Sequence, residues 1–252
     1  MTRRLFILTG ASRGMGAAMA DQLLAPDHFL LCISRHRNEA LAAKAVASGV
    51  ACEQWALDLA QPVAAAAALQ GWIAALDANT FDTATLINNA AALTRIGAID
   101  ECSDAELSAA LRVGLEAPLL LTAAFLRATR AWTARKRVLN ISSGLGRRAM
   151  AGQASYCASK AVMDHLTRAL ALDEANRPGG AKVVSLAPGV IDTDMQVHLR
   201  AAEAAGFPEK DMFTGLKNKG QLTSPAEAAA RVLGWLERAD FGANPVADVR
   251  DA

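Results

Sequence analysis

The residues best suited to chemistry are Tyr156 and Lys160, which lie in the stretch GQASYCASKAVMDHL, residues 152–166. Positions i and i+4 share one face of a helix, so this spacing places a phenol beside an ammonium group. A nearby cation stabilises a phenolate and lowers the pKa of a tyrosine from its usual value of about 10. The pair could therefore act as a general acid or base near neutrality, and we predict a pKa of Tyr156 clearly below that value. The alternative is an exposed helix face with a half-buried phenol.

Ser143 adds a third polar group that could reach the same substrate atom. It lies thirteen residues before Tyr156, at the end of the fifth predicted strand, in the sequence NISSG. Open α/β sheets bind ligands at the carboxyl ends of their strands, so the serine hydroxyl and the phenol can converge on one substrate oxygen. The combination of Ser143, Tyr156 and Lys160 thus favours a catalytic role over a packing role.

The chain alternates short apolar runs with longer helical patterns, and this alternation determines where those residues lie. The apolar runs are LFILT, HFLLCIS, ACEQWALDL, TATLINNA, RVLNISS and AKVVSLAPG, and long helical patterns cover about 103–130 and 153–175. Such alternation is typical of βαβ units, whose buried parallel strands are almost continuously apolar. We predict the α/β class: a single doubly wound, Rossmann-type domain over residues 1–252, with a parallel seven-stranded sheet and helices on both faces. The polar segment 194–222, interrupted by Gly and Pro, is predicted to be a substrate lid.

A glycine-rich loop follows the first predicted strand directly, in the sequence TGASRGMG. Gly10, Gly14 and Gly16 would let a pyrophosphate approach the N-terminus of the next helix, where free N–H groups and the helix dipole attract anions. Three glycines often form only a tight turn, but a strand before and a helix after are the context that a dinucleotide motif requires. We therefore predict a dinucleotide site.

The end of the second predicted strand indicates which dinucleotide binds. An acid that would bind a ribose 2′-hydroxyl is expected about 20 residues after the loop, but Ser34 and Arg35 stand there, in CISRHR. A guanidinium suits a phosphate, and Arg13 in the glycine loop could approach from the other side. The pattern favours NADP(H) over NAD(H); alternatively, Arg35 is a solvated loop residue. Asp58, which ends the third predicted strand in LDLA, could bind the adenine amino group or cap the next helix.

Composition argues against several other classes of protein. The formal net charge is +1, from 26 Lys+Arg and 25 Asp+Glu, so no general attraction to nucleic acid or an anionic membrane is expected. Cys32, Cys52, Cys102 and Cys157 form neither a CxxC pair nor a cluster with histidines, so no metal site or disulfide framework is predicted. The N-terminal apolar run is too short for a signal peptide, and no stretch reaches the roughly 18 apolar residues of a membrane span. We expect a cytoplasmic protein with a small-molecule substrate.

Together the motifs resemble those of the short-chain dehydrogenases/reductases, over essentially the whole chain: TGxxxGxG, NNA at 88–90, the serine, YxxxK, and PGxxxT at 188–193. The resemblance implies that Ser143 orients and polarises a carbonyl, that Tyr156 donates its proton, and that Lys160 binds the cofactor ribose and keeps the phenol acidic. Asn89 and Ala90 would line the adenosine, and Ile191 and Thr193 would hold the nicotinamide amide and phosphate. The full set of predicted cofactor contacts is Gly10, Ser12, Arg13, Gly14, Met15, Gly16, Ser34, Arg35, Asp58, Leu59, Asn89, Ala90, Tyr156, Lys160, Pro188, Gly189, Ile191 and Thr193.

The sequence departs from the family pattern at Gly114. The family normally has an asparagine in the fourth helix, in a pattern like VNLxAP, that supports a proton-relay water, whereas this chain has VGLEAP. Because glycine offers no side-chain hydrogen bond, we expect the relay to use an extra water, to run more slowly or to be absent. The change from NNAG to NNAA, with Ala91, constrains the turn more than the chemistry.

Within the family, SLAPGVIDTDMQ and the C-terminal ADVRD resemble the sepiapterin reductase and benzil reductase branch. This implies an NADPH-dependent carbonyl reductase acting on a ketone or diketone. Met195 and Asp248 are candidate substrate contacts, and a surface role for Asp248 is the alternative. The lid side chains indicate either an apolar pocket or simple packing: Met195, His198, Phe207, Met212 and Phe213.

Two other functions stay open, an NADP(H)-binding regulator with little turnover and a 3-oxoacyl reductase. Reductases of the second kind lack the C-terminal motif. The resemblance also implies a homodimer, or a tetramer, in which the helices at about 103–130 and 153–175 pair across a two-fold axis.

Overall fold

The computed structural model describes residues 3–203 and 206–251. Seven strands form one parallel sheet in the order β3-β2-β1-β4-β5-β6-β7. The strand order reverses between β1 and β4, which is where open α/β sheets bind ligands. The strands are β1 (Arg3–Thr9), β2 (His28–Ser34), β3 (Ala51–Ala56), β4 (Phe81–Asn88), β5 (Arg135–Ile141), β6 (Lys182–Ala187) and β7 (Val246–Asp248). The predicted α/β class with a parallel seven-stranded sheet is confirmed.

Helices cover both faces of the sheet because successive side chains of each strand point to opposite faces. In β1, Phe6 and Leu8 enter the core under α1 and α9, while Leu5 and Ile7 enter the core under α3 and α5. The helices are α1 (Gly14–Gln22), α2 (Glu39–Ala47), α3 (Pro62–Ala74), α4 (Asp104–Leu111), α5 (Ala117–Thr129), α6 (Ala154–Ala175), α7 (Asp194–Ala201), α8 (Lys210–Asn218) and α9 (Pro225–Leu236).

The start of α4 is encoded by a capping box. The Glu106 N–H donates to Ser103 Oγ at 3.3 Å, and the Glu106 carboxylate accepts from the Ser103 N–H at 3.1 Å. Such reciprocal bonds satisfy two N–H groups that the first helical turn leaves free. They set where α4 begins and therefore which residues of the following π-helical turn, Arg112–Glu116, reach α6.

The stretch Asp104–Thr129, which consists of α4, the π-helical turn and α5, is more apolar than predicted. Its most apolar window of 18 residues has a mean hydropathy of 1.6, and the helix is long and apolar enough to cross a membrane by length and composition alone. The prediction that no stretch is so long and apolar was wrong. Half of the apolar window is buried inside the fold, and Leu121 and Phe125 of α5 pack in the core with Val138 of β5. The stretch therefore behaves as a core helix of the domain.

A row of buried polar side chains ties the centre of the sheet to α5 and α6. Asn88 Nδ2 donates to Asn140 Oδ1 at 2.8 Å and to Thr122 Oγ1 at 3.1 Å, and Asn140 Nδ2 donates to Thr167 Oγ1 at 2.9 Å. Buried amides are stable only when they are hydrogen-bonded in this way. The row therefore fixes α6 against β4 and β5, which positions the side chains at the start of α6.

The segment 194–222, predicted to be a lid, leaves the sheet after β6 and contains α7 and α8. Its base is closed by two backbone hydrogen bonds, from the Asp192 N–H to the Thr223 carbonyl (2.9 Å) and from the Thr223 N–H to the Val190 carbonyl (3.0 Å). Inside the segment the rings of Phe207 and Phe213 stack with centroids 5.6 Å apart. Both rings are buried in an apolar cluster with Ile96, Met150 and Leu199. Phe207 and Phe213 are therefore packing residues of the segment.

Candidate active site

Tyr156 and Lys160 lie together near the start of α6. Lys160 is 3% exposed, and its Nζ lies 5.5 Å from the centre of the Tyr156 ring. The same Nζ donates to the Ile141 carbonyl at 2.7 Å, at the last residue of β5. The loop after β4 supports the first turn of α6, where Thr94 Oγ1 lies 3.2 Å from Ser155 Oγ. The structure thus brings the phenol and the amine together, while their part in the chemistry stays a prediction.

Ser143 lies two residues beyond the end of β5 and is half-buried. Its Oγ accepts a hydrogen bond from the Leu145 N–H at 3.2 Å, and its side chain is hydrogen-bonded to that of Tyr156. The serine and the phenol can therefore contact the same small group. Ser143, Tyr156 and Lys160 form one cluster at the carboxyl edge of the sheet, as the sequence predicts.

Burial determines how the two ionisable groups of the cluster titrate. It raises the pKa of Tyr156 to about 12, and the hydrogen bond with Ser143 opposes this rise. It lowers the pKa of Lys160 to about 8, although the Asp164 carboxylate acts in the other direction. The prediction of a Tyr156 pKa below 10 is wrong for this structure. The reason is that removal from water favours the neutral form of each group, and for Tyr156 this effect exceeds that of the hydrogen bond with Ser143.

The glycine loop connects β1 to α1 and has the geometry of a pyrophosphate cradle. Gly10 and Gly14 have φ angles of 71° and 56°, in the region that only glycine adopts freely. A Cβ on Gly16 would lie 2.0 Å from the Gly10 carbonyl oxygen, so no side chain fits there. The loop therefore approaches the N-terminus of α1 closely, where free N–H groups can bind an anion. These residues fit a dinucleotide.

Thr9 holds this loop to the end of β4. Its Oγ1 accepts from the N–H groups of Asn89 (2.9 Å) and Ala90 (3.0 Å), and Asn89 Nδ2 donates to the carbonyls of Thr9 (3.0 Å) and Gly10 (3.2 Å). Asn89 thus fixes the loop from one side, whatever else it contacts. The sequence prediction did not single out Thr9; the available signal was a hydroxyl at the end of an otherwise apolar strand.

The start of the 194–222 segment faces the glycine loop. Arg13 Nη1 donates to Asp194 Oδ2 at 3.1 Å, between two exposed side chains. A Cβ on Gly14 would lie 3.4 Å from the Thr193 methyl group. Pro188, Gly189 and Ile191, which precede Thr193, connect β6 to this position. The predicted cofactor contacts after β6 therefore lie across the cleft from those after β1.

Two of the predicted cofactor contacts, Ser34 and Arg35, lie at and just after the end of β2. Ser34 is buried and its Oγ donates to the His36 carbonyl at 2.9 Å, whereas Arg35 is exposed. The hydroxyl therefore shapes the turn, and the guanidinium is accessible to a ligand. Ser12, on the glycine loop, is half-buried.

The other predicted contacts on the adenosine side divide into one exposed and two buried residues. Asp58 is exposed and its Oδ1 accepts from the Ala60 N–H at 3.0 Å. It does not cap α3, whose N-cap is Gln61, so that alternative is wrong. The side chains of Met15 and Leu59 are buried in the two apolar cores, so these residues can offer a cofactor only their backbone groups.

Gly114 lies in the π-helical turn between α4 and α5, against α6. A Cβ there would lie 3.2 Å from Ser159 Oγ and 3.3 Å from Ser159 Cβ, which is tighter than most real contacts. The turn is closed by a bond from the Ala117 N–H to the Arg112 carbonyl, and the next residue is Pro118. In α-helical register the Gly114 carbonyl would accept a hydrogen bond from residue 118. Pro118 has no N–H, so it cannot donate that bond. The turn therefore lacks the amide side chain that the resemblance implies at this position.

Asp248 and Met195, the predicted substrate contacts, lie on different elements around the cleft. Asp248 ends β7 and is 5% exposed, and its two carboxylate oxygens accept from Arg250 Nε (2.8 Å) and Nη2 (2.6 Å). This ion pair holds the pKa of Asp248 below its usual range. Met195 lies on α7 and packs against the apolar cluster of the 194–222 segment. Asp248 is therefore engaged by its own chain.

A cavity of about 560 Å³ lies between α7 and the loops after β4 and before α6. Its walls include Arg95, Ile96, Gly152, His198 and Pro208, but not Ser143, Tyr156 or Lys160. This cavity is therefore a groove separate from the cluster of Ser143, Tyr156 and Lys160. His198, predicted as a lid residue, faces this groove.

Three glycines make the contact between the 194–222 segment and the two loops beside α6. The Gly97 N–H donates to the Gly152 carbonyl at 3.2 Å. A Cβ on Gly152 would lie 2.7 Å from the Gly206 carbonyl oxygen, and one on Gly206 would lie 3.4 Å from the Gly97 Cα. Backbone therefore packs directly on backbone, and we name this contact the glycine junction.

Comparison with known proteins identifies the family. The family model for short chain dehydrogenases matches residues 4–204. The benzil reductase ((S)-benzoin forming) of Bacillus cereus is 33% identical over 94% of this chain and 96% of that protein. Sepiapterin reductase of Meriones unguiculatus is 31% identical over 97% of this chain and 95% of that protein.

A solved structure of a metagenomic short-chain oxidoreductase in complex with NADP is 27% identical. It has a TM-score of 0.73 and covers 98% of this chain and 95% of its own. The predicted resemblance, including the benzil and sepiapterin reductase branch, is confirmed. The chain therefore belongs to the short-chain dehydrogenase/reductase family of oxidoreductases.

Proposed function

We propose that the chain is an NADPH-dependent carbonyl reductase that acts on a ketone or diketone. The observation that carries the proposal is the cluster of Ser143, Tyr156 and Lys160, in which the phenol is hydrogen-bonded to the serine beside a buried amine. Relatives named for benzil and sepiapterin reduction support this substrate class.

The bound cofactor would supply a hydride to the carbonyl carbon. The loop of Gly10, Gly14 and Gly16 would hold its pyrophosphate at the N-terminus of α1. Arg35 would bind the 2′-phosphate, because it is exposed where an acid would select NAD(H) instead. The NADP-bound relative supports this choice.

The catalytic side chains would act on the carbonyl oxygen. Ser143 would donate a hydrogen bond to it, and Tyr156 would transfer a proton to the developing alkoxide. A Tyr156 pKa of about 12 keeps the phenol protonated at neutral pH, which suits an acid in reduction better than a base in oxidation. Lys160, with a pKa of about 8, would carry a positive charge at neutral pH and stabilise the phenolate that remains.

The proposal is tested by following NADPH consumption with benzil, sepiapterin, a set of quinones and a 3-oxoacyl thioester. We expect turnover of a ketone or diketone, and a loss of about 10²–10⁴-fold in Tyr156→Phe. Unchanged turnover in Tyr156→Phe would rule out the mechanism. Preference for the thioester would point to a 3-oxoacyl reductase.

A second candidate function is an NADP(H)-binding regulator with little turnover, and Gly114 is the observation that favours it. Tight NADPH binding without reduction of any carbonyl in the set would support this candidate. Gly114→Asn restores the family's amide, and Gly114→Ala is its matched control because both add a Cβ 3.2 Å from Ser159 Oγ. Higher activity of the asparagine variant than of the alanine variant would show that the relay limits turnover.

We also propose that the protein works as a cytoplasmic homodimer. Large apolar side chains are exposed on α4, α5 and α6, the helices expected to pair: Leu111, Leu119, Val162 and Leu172. Light scattering after size exclusion tests this assembly, and a monomer at micromolar concentration would contradict it.

A further inference from the structure

Asp164 is a buried carboxylate one helical turn beyond Lys160. It is 2% exposed and shares the face of α6 that carries Tyr156 and Lys160, since the three residues are spaced four apart. Neither the family motifs nor the predicted site includes it. A buried carboxylate is costly unless it is paired and hydrogen-bonded, so its partners define what it does.

Three side chains donate to Asp164. Oδ1 accepts from Ser142 Oγ at 2.6 Å and from Ser185 Oγ at 2.7 Å, and Oδ2 accepts from Arg147 Nε at 3.1 Å. Arg147 is itself held by a bond from its Nη2 to the Ala247 carbonyl at 2.8 Å. These charge-assisted bonds join α6 to the residue after β5 and to β6, and Arg147 extends the connection to β7.

The bonds of Asp164 and Lys160 reach consecutive residues just before Ser143. Lys160 donates to the Ile141 carbonyl, and Asp164 accepts from the Ser142 side chain. The chain that carries Ser143 is therefore attached to the same face of α6 that carries Tyr156. An error of about 1 Å in such an arrangement can cost about 10²-fold in rate.

Asp164 also acts on the charge of Lys160. Burial lowers the pKa of Lys160, and the carboxylate of Asp164 opposes this. Arg147 offsets part of the Asp164 charge from the loop after β5. Other charged groups on the described elements that contact α6 include Asp104 and Glu106 on α4, Arg112 and Glu116 in the π-helical turn, Lys182 on β6 and Asp248 on β7, and Arg130 after α5 pairs with Glu174 of α6.

We propose that Asp164 is a positioning residue of the reductase site: through Ser142 it holds Ser143 opposite Tyr156, and its negative charge keeps Lys160 protonated. The inference rests on the proposed carbonyl reduction. It assigns two separable effects to one side chain, and each effect has its own variant.

The positioning effect is tested by comparing Ser142→Ala with Ser185→Ala. Both variants remove one hydroxyl donor from Asp164 Oδ1, at 2.6 and 2.7 Å, but only Ser142 adjoins Ser143. We expect Ser142→Ala to lower kcat by about tenfold or more, since a small displacement of Ser143 suffices. Ser185→Ala should lower thermal stability about as much as Ser142→Ala does, but it should leave kcat within about twofold of wild type. Equal effects of the two variants on kcat would overturn the positioning role.

The charge effect is tested by Asp164→Asn, which keeps the shape and one oxygen acceptor. Lys160 loses its proton as pH rises through its pKa of about 8, so wild-type kcat should fall on the alkaline side near that pH. Without the carboxylate the pKa of Lys160 falls further, and the alkaline limb of the kcat profile should move to lower pH. Ser142→Ala and Ser185→Ala should leave the limb in place. An unmoved limb in Asp164→Asn would overturn the charge effect, and if that variant does not fold, Arg147→Met, which frees the Asp164 charge, should move the limb to higher pH.

Failure of the proposed function is distinguishable from failure of this inference. If the wild-type chain reduces none of the carbonyls, NADPH binding measured by fluorescence replaces kcat, because Lys160 is expected to contact the ribose. Asp164→Asn should then move the alkaline loss of NADPH affinity to lower pH, and identical binding curves for wild type and variant would refute the inference.

Discussion

Replacing Lys160 by methionine should remove a rise in folding stability that wild type shows between about pH 8 and pH 10.5. Burial lowers the pKa of this amine from 10.5 to about 8. Across that range the unfolded chain binds a proton that the folded chain does not, so the free energy of unfolding increases with pH. A lowering of the Lys160 pKa from 10.5 to about 8 corresponds to a change of about 3 kcal/mol in the free energy of unfolding.

The methionine variant and wild type should also exchange their order of stability as the pH changes. Methionine cannot donate to the Ile141 carbonyl, which Lys160 bonds at 2.7 Å, and an orphaned buried acceptor costs about 1–3 kcal/mol. At about pH 10 the variant should therefore be less stable by that amount. At neutral pH, relief of the buried ammonium offsets the loss, so the variant should be as stable as wild type or more stable, although inactive.

The assay is urea unfolding followed by tryptophan fluorescence at about pH 7 and about pH 10. Lys136→Met is the control, because Lys136 is also buried, donates to the Trp132 carbonyl at 2.9 Å and has a pKa lowered by burial, but lies at the start of β5. The Lys136→Met variant should keep its activity, and its free energy of unfolding should still show the contribution of Lys160 to the rise with pH. A Lys160→Met variant that retains the full wild-type change in stability would refute the reasoning. Measurements should stop near pH 10, above which the raised pKa of Tyr156 makes stability fall again.

Three further predictions concern the cofactor cleft and the predicted lid. Gly16→Ala should weaken NADPH binding strongly, because its Cβ would lie 2.0 Å from the Gly10 carbonyl oxygen; an unchanged Kd in a fluorescence titration would contradict this. Arg35→Ala should lower the preference for NADPH over NADH by about 10- to 100-fold in kcat/KM, whereas the exposed Arg37→Ala should not, and equal effects would remove Arg35 from the phosphate site. Phe213→Ala, which removes a buried ring worth about 3–5 kcal/mol locally, should raise KM and speed limited proteolysis within 194–222; wild-type behaviour in both assays would show that this cluster does not hold the segment.

Most of the sheet could be predicted because the strands from β1 to β6, apart from β3 with Glu53 and Gln54 at its centre, contain short apolar stretches between polar or turn residues. β7 could not be located by pattern, since Val246–Asp248 has only three residues and is defined by pairing with β6. The π-helical turn at Arg112–Glu116 was also missed. The helices α4 and α5 lie directly on either side of it, and the available signals were Gly114 and Pro118, four residues apart.

That Ser143, Tyr156 and Lys160 lie together could be predicted from the sequence, but the direction of their pKa shifts could not. The i, i+4 spacing of Tyr156 and Lys160 places them on one face in any helix. Their pKa values depend on how far the folded chain removes the two groups from water. Sequence spacing alone does not give that burial. Asp164 was missed although the same spacing extends to it, because an acid on a helix is usually a solvated residue.

The glycine junction has a consequence for how the substrate range of this protein can change. Gly97, Gly152 and Gly206 join the 194–222 segment to the body of the domain through main-chain contacts, so this contact does not depend on the identity of the exposed side chains of α7 and α8. Exposed side chains on those helices can therefore be exchanged one by one while the segment keeps its position, whereas the buried Leu199 and Phe213 cannot. Libraries that randomise exposed positions of α7 and α8 should therefore yield many folded variants with altered substrates. Any substitution of Gly152 should instead displace the 194–222 segment from the domain.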